Sequence, residues 1–463
     1  MHDIVIRNGR IVDYGGDTDT FADLAIEGGR ITAIEDSITG PARSVIEADG
    51  CYVLPGLVDV HVHLDAQFGG DAGHAMLARA GVTTALDLGT PSASEVFEIG
   101  QRNGAGLTIG CVVRLVPGAQ LPESPSRAEI RAAIEKVLAE GALGVKLHVD
   151  SRWPVETAAM IAEVANELGV WLALHCGTTT AGSNLEGLRQ AIEFLDGKPA
   201  HIAHVNSYCR GELDEPAAEA REAIAMLRAA PKLFTESYLA EINGNFADCV
   251  DGRPRVARVA GWLEQGGYPG TQDGLRAAIL DGWAAIPVRD GDRTVPTSGP
   301  AGVAAWEDAG TRIGLCLPLN PAASRVPMAG SKDDKGAFDI DAIATDGGGI
   351  PRNVTVHSGL SLVDLGVFSL KEFVRKSCWA PAQVLGLRGK GTLALGADAD
   401  VAVVDVASKT VVSTVAAGEV VFHRGTVIPR VTRPLTTERG SAALRTTATI
   451  DPAASGLYTG VGR

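Results

Sequence analysis

Residues 55–70 read PGLVDVHVHLDAQFGG. After a Pro-Gly turn, an apolar run of strand length, Val58–His63, ends in two histidines two positions apart. Alternate residues of a strand face the same way, so His61 and His63 project to one side and can share one ion.

Working outward, seven further apolar runs of similar length follow: Thr83–Leu88, Leu107–Leu115, Leu143–Val149, Trp171–Cys176, Ala200–Val205, Leu233–Glu236 and Ala342–Thr345. Between them, Arg127–Glu140, Val155–Leu168 and Asn184–Leu195 carry apolar residues at helical spacing. Eight strands alternating with helices predict an α/β chain folded as a (β/α)₈ TIM barrel over residues 56–390. The Gly- and Trp-rich stretch 241–318 breaks the alternation and is expected to be an insertion near the barrel mouth. Short strand-like runs at Asp3–Arg7, Asp23–Ile26 and Arg30–Ile34 recur in kind at Gly391–Asp405, Val411–Ala416 and Glu419–Phe422. Residues 1–55 and 391–430 are therefore expected to form one small β-sandwich domain from both chain ends, with 431–463 as a polar C-terminal tail that wraps a neighbour or stays loose.

The composition is that of globular material: 463 residues, 45% hydrophobic and 21% charged. A net charge of −15 without any basic block argues against nucleic acid or an anionic membrane as partner and leaves a small-molecule substrate. Seven scattered cysteines without a CxxC pair suit reduced thiols and a cytoplasmic location. The alternating first residues do not resemble a signal peptide, and no run of about 18 apolar residues predicts a membrane span.

Six of the ten histidines, His61, His63, His148, His175, His201 and His204, fall at or near the ends of predicted strands. In a barrel that is where side chains from separate strands converge on one pocket.

Taken together, IVIRNGRIVD (4–13), PGLVDVHVHLD (55–65), GVKLHV (144–149), ALHCG (173–177), HIAHVN (201–206), IATDGGG (343–349) and GKGTLALGADADVAVVD (389–405) resemble the amidohydrolase superfamily, in particular its hydantoinase and dihydropyrimidinase branch. The resemblance implies two divalent cations, zinc first, with manganese, cobalt or iron also suited to the donors. It implies as their ligands His61, His63, Lys146, His175, His204 and Asp346. Lys146 would capture CO₂ and bridge the ions as a carbamate, and Asp346 would act as the catalytic proton shuttle for a metal-bridging hydroxide. His204 is preferred over His201, which on a strand would face the other way and lie deeper. His148 shares a face with Lys146 and is read as supporting a ligand, as are Glu236, Asp65 and Asp87. Polar groups beyond the strand ends, Arg114, Arg152, Asn206, Ser207, Tyr208 and Arg210, are the candidates for reading the substrate.

The resemblance implies hydrolysis of a C–N bond in a cyclic amide, imide or ureide or a small N-acyl amide, by a dimer or tetramer. The same site could open an ester, lactone or phosphoester, and some relatives keep the barrel only as an assembly module. Three departures bear on substrate. Hydantoinases place a tyrosine five residues after the bridging lysine, where this chain has Ser151. Dihydroorotases have an arginine where it has Asp65, and D-aminoacylases have a cysteine on the second strand, where it offers Leu86–Gly89. The short gap from His175 to His204, with HVN and DGGG, is closer to isoaspartyl dipeptidases and phosphotriesterase-type members.

Overall fold

The computed structural model describes residues 1–440, 444 and 448–462. The chain opens with β1 (His2–Asp13), β2 (Thr18–Glu27), β3 (Arg30–Glu35), β4 (Ala42–Glu47) and β5 (Cys51–Pro55). β2 and β3 extend antiparallel from β1, while β4 and β5 pair with β1 in parallel. β5 then pairs antiparallel with Val401–Asp405, and the sheet continues through Thr410–Ala416, Glu419–His423 and Thr426–Val427. Both ends of the chain thus build one nine-stranded sheet. Ile4, Ile6, Ile11, Leu24, Val53, Val401 and Val403 pack together on its inner face.

Seven parallel strands follow in sequence order: β6 (Leu57–His63), β7 (Val82–Thr90), β8 (Thr108–Arg114), β9 (Gly144–His148), β10 (Trp171–His175), β11 (Ala200–Ile202) and β12 (Leu233–Tyr238). The eighth is in two pieces. Ala342–Ala344 pairs with β12, and Gly347–Gly348 pairs with β6, which closes the ring. The eight apolar runs of the sequence are these eight strands. They read as continuous apolar segments because both faces are buried. Residues such as Leu88, Val112, Ala173 and Phe234 fill the inside, and their neighbours Ile109, Val145, Leu172 and Ile202 pack on the surrounding helices.

Two local distortions aim side chains at the barrel mouth. The register of β6 slips between Asp59 and Val62, so Val60 and His61 both belong to the inner face and the histidine pair follows directly on the apolar filling. At the split in the eighth strand, Gly348 has φ +73°, and a Cβ there would meet the His63 carbonyl oxygen at 2.4 Å. Glycine lets the two backbones touch.

Residues 243–317 leave the barrel after β12 and return before the eighth strand. Asn243–Phe246 pairs with Gly314–Leu317, and helices Ala257–Gln265, Gln272–Leu280 and Gly299–Asp308 enclose a separate core around Trp262, Leu263, Leu275, Ile279 and Trp306. Beyond 431, Arg433–Thr436 lies parallel to β8, and Leu435, Ile450 and Leu457 pack with the barrel's inner filling. This segment is ordered on its own barrel; residues 441–443, 445–447 and 463 lie outside the described residues.

Candidate functional site

The C-terminal ends of the barrel strands and the insertion enclose a cavity of about 310 Å³. On its floor His61 Nε2 lies 3.3 Å from Asp346 Oδ1, and His63 Nε2 lies 3.0 Å from the same oxygen. Lys146 Nζ is 3.3 Å from His61 Nε2. The His204 ring sits 5.1 Å from that of His61 and 4.4 Å from that of His175, centroid to centroid. The six side chains that the resemblance singled out, drawn from the ends of five strands, meet in one place.

Each is held by a specific neighbour. The buried Glu236 carboxylate accepts from His61 Nδ1 and from the His204 backbone N–H, both at 2.7 Å. That fixes the His61 proton on Nδ1 and turns the Nε2 lone pair into the cavity. Ser207 Oγ lies 2.6 Å from His204 Nδ1, and Ser183 Oγ lies 2.7 Å from His175 Nε2, leaving His204 Nε2 and His175 Nδ1 for an ion. Lys146 is buried and donates to the Leu88 carbonyl. It fits because β7 has Gly89 next to its last residue, where a Cβ would meet Lys146 Cδ at 2.8 Å. Asp346 and His204 both have left-handed backbone, φ +51° and +38°, a conformation that non-glycine residues adopt mainly where the surroundings enforce it.

Burial sets the charges. It pushes the imidazoles of His61 and His175 well below their ordinary range and that of His204 down to about 3, so all three are neutral donors. It lowers the Lys146 amine to about 8 and raises the Glu236 carboxyl. Asp346 goes the other way. Burial alone would raise it, but Arg352, whose Nη2 is 2.8 Å from Oδ2, and His63 hold its carboxyl well below the usual carboxylate range.

The donor set fits a cation. His61 Nε2 and an ionised Asp346 oxygen converge to 3.3 Å, two donor atoms aimed at one point. His61, His204 and Asp346 offer ligand atoms within 4.8 Å of one another. Four histidines, a carboxylate and a lysine suit zinc or a similar ion.

The remaining candidates divide. Arg114, Ser207 and Arg210 line the cavity. Asn206 accepts from the Tyr238 backbone, and Tyr208 OH accepts from the Cys176 backbone; both are buried behind the cavity wall. Arg152 is exposed and lines a neighbouring groove instead. His148 lines the cavity beside His175, ring centroids 4.3 Å apart, and its Nδ1 accepts from the Asp150 backbone. Asp87 caps the Leu64 and Thr90 backbone, and Asp65 caps that of Phe68. His201 does not face away. It points inward one layer below His204, against Phe234 and Trp171, because the left-handed turn at His204 breaks the strand alternation.

The sequence reading missed Arg352 altogether, and missed Phe246, Arg258 and Trp262, which the insertion brings over the cavity. The signal for Arg352 was its place six residues after Asp346 in the same loop. For the insertion no local signal existed.

The barrel, the small two-ended sheet and the histidine-carboxylate cluster define an amidohydrolase-type protein. A model of the amidohydrolase family matches residues 52–421, and the chain belongs to that family. It is similar to a dihydroorotase of Pelobacter propionicus, 23% identical across 91% of this chain and all of the relative. Among solved structures, an N-acyl-D-glutamate deacylase of Bordetella bronchiseptica, complexed with zinc and a phosphonate inhibitor, aligns with a TM-score of 0.67. It has 16% identity, over 93% of this chain and 98% of that one. A D-hydantoinase aligns at 0.56 with 21% identity, over 93% and 98%. At these identities the structures speak for the fold alone. Relatives in this family are hydrolases of C–N bonds, and the chain is such an enzyme. No helix among the described residues is long and apolar enough to cross a membrane.

Proposed function

We propose that the chain hydrolyses a cyclic amide, imide or ureide or a small N-acyl amide at a centre of two divalent cations, zinc first, held by His61, His63, Lys146, His175, His204 and Asp346. The observation that carries this reading is the convergence of His61 Nε2, His63 Nε2, Lys146 Nζ and Asp346 Oδ1 on one cavity floor. Bound there, the cations would lower the pKa of a water between them toward neutrality and polarise the scissile carbonyl.

The chain's own groups supply the rest. Lys146, with its amine lowered to about 8, has a neutral fraction able to take up CO₂ and become an anionic bridging ligand. Asp346 stays ionised against Arg352 and so can accept the attacking water's proton and deliver it to the leaving nitrogen, without which an amide nitrogen departs poorly. Ser151, in the place of the hydantoinase tyrosine, donates to the Leu115 carbonyl and is turned from the cavity. His148 takes its place: with Nδ1 accepting from the backbone, it keeps its proton on Nε2 as a donor for the substrate carbonyl oxygen. The seven cysteines, all unpaired, suit a cytoplasmic enzyme.

A panel of hydantoins, lactams and N-acyl amino acids beside matched esters and lactones, assayed on metal-replete protein with metal counted by elemental analysis, tests the reading. Amide turnover with two ions per chain is expected. Ester turnover without amide turnover would replace it with an ester or lactone hydrolase, and absence of stoichiometric metal would end it.

A further inference from the structure

The chain carries a net charge of −15, yet its cavity is lined by four guanidiniums, Arg114, Arg210, Arg258 and Arg352, against two carboxylates, Asp150 and Asp346. Three of the four have partners inside the protein. Arg352 pairs with Asp346, and Arg258 pairs with Asp150 at 2.5 Å. Arg210 spreads its donors over Asn320, Tyr238 and Asn243.

Arg114 is different. It ends β8 half-buried in the cavity wall, its Nε is buried without a hydrogen-bond partner, and no carboxylate among the described residues comes within ion-pair distance. Asp65 feels its charge only from further off. Taking a guanidinium partly out of water without an acceptor is unfavourable, and a planar fork of donors left open in a reaction cavity matches a carboxylate from outside.

Its position says how far that carboxylate lies from the chemistry. β8 and β9 run side by side with Arg114 opposite Lys146, and neighbouring strands are about 4.8 Å apart. An anion held by Arg114 is therefore a few bonds from a carbonyl lying over His61, His63 and Asp346. We infer that the substrate is an amide carrying a carboxylate within two or three bonds of the scissile C–N bond, and that Arg114 is the residue that reads it. In dihydroorotases an arginine just after the histidine pair grips a carboxylate; here that position is Asp65, and the grip comes from the third strand instead. The small cavity and the Arg258–Asp150 pair at its rim suit a compact N-acyl amino acid or a carboxylated cyclic ureide.

This inference rests on the amidohydrolase reading for its chemistry, so its test has one arm that does not need turnover. Binding of N-acetylglycine and of N-acetylglycinamide to metal-free protein is measured by calorimetry in wild type, Arg114→Gln and Arg114→Lys. Wild type should bind the acid about tenfold to a hundredfold more tightly than the amide. Arg114→Gln should bring the two together, and Arg114→Lys should keep part of the difference. Equal binding in wild type, or a preference that survives Arg114→Gln, would overturn it. In the second arm, kcat/KM is compared for N-acetyl amino acids and their methyl esters at the amide bond, and for hydantoin-5-acetic acid and 5-methylhydantoin, on zinc-loaded protein. Turnover without preference for the acids refutes the inference and leaves the amidohydrolase reading intact. Binding preference without any turnover does the reverse.

Discussion

Replacing Arg352 by Met keeps a side chain of similar length but removes the charge, and with it the guanidinium that lies over the Tyr238 ring, 5.2 Å from its centroid. The guanidinium is 2% exposed and Asp346 6%. Breaking a buried pair by deleting one partner costs about 3–5 kcal/mol, because the other charge stays behind uncompensated. With an unfolding entropy of roughly 2.1 cal/mol/K per residue, a chain of 463 residues loses about 1 kcal/mol per kelvin near its midpoint. Metal-free Arg352→Met should then melt about 3–5 °C below wild type at pH 7. A divalent cation beside Asp346 supplies positive charge of its own, so zinc should restore most of that difference. The sign with pH follows from the direction of the shift. Asp346 is held below its unfolded pKa, so the pair stabilises the protein above the ordinary carboxylate range and its contribution fades as the pH falls through it. Without Arg352, burial acts against His63 and His204, the carboxyl rises, and the acid limb of kcat/KM moves to higher pH. Calorimetric melting of both proteins with and without zinc, plus a pH–rate profile, reads all three. A metal-free variant melting within a degree of wild type, or one that zinc does not rescue, would refute the account of how Asp346 is kept ionised.

Lys146→Ala should lose bound metal and turnover together by elemental analysis and assay, and short carboxylic acids with CO₂ should return part of both, because they can occupy the bridging position. Glu236→Ala removes the single oxygen, Oε1, that accepts from both His61 Nδ1 and the His204 N–H. Competition with a chelator should show metal affinity reduced about 10–100-fold. His74 is buried in the helix Gly70–Arg79, away from the cavity, and burial lowers it to about 4. Its folded pKa lies below its unfolded one, so its share of stability is complete above about pH 6.5 and is lost toward pH 4. Urea denaturation of His74→Asn should show a shallower loss over that window, by roughly 3 kcal/mol at its acid end.

The fold was legible because the eight barrel strands are buried on both faces and so stand out as apolar runs, and because His61, His63, His175 and Asp346 end or follow those runs directly. What escaped depended on backbone detail. The register slip in β6 and the left-handed turns at His204 and Asp346 leave no trace in hydrophobic pattern. They decided which of His201 and His204 reaches the mouth. Arg352 reads as an ordinary loop arginine until the loop is seen to fold back on Asp346. Asn206, Tyr208 and Arg152 had the right sequence position for substrate contact. Nearness to a strand end nonetheless does not fix direction, and the first two turn to backbone groups while the third turns to solvent. Phe246, Arg258 and Trp262 came from an insertion whose docking is set by its own core, out of reach of any local reading.

The small sheet has a bearing on how the molecule is made. Val53 lies opposite Val403, so the first five strands wait for their partner until nearly all of the barrel has left the ribosome, on the order of tens of seconds at ordinary elongation rates. Nascent chains arrested before residue 401 should therefore expose the edge of β5 to chaperones, and quality control during synthesis will act on this molecule chiefly at that unfinished seam.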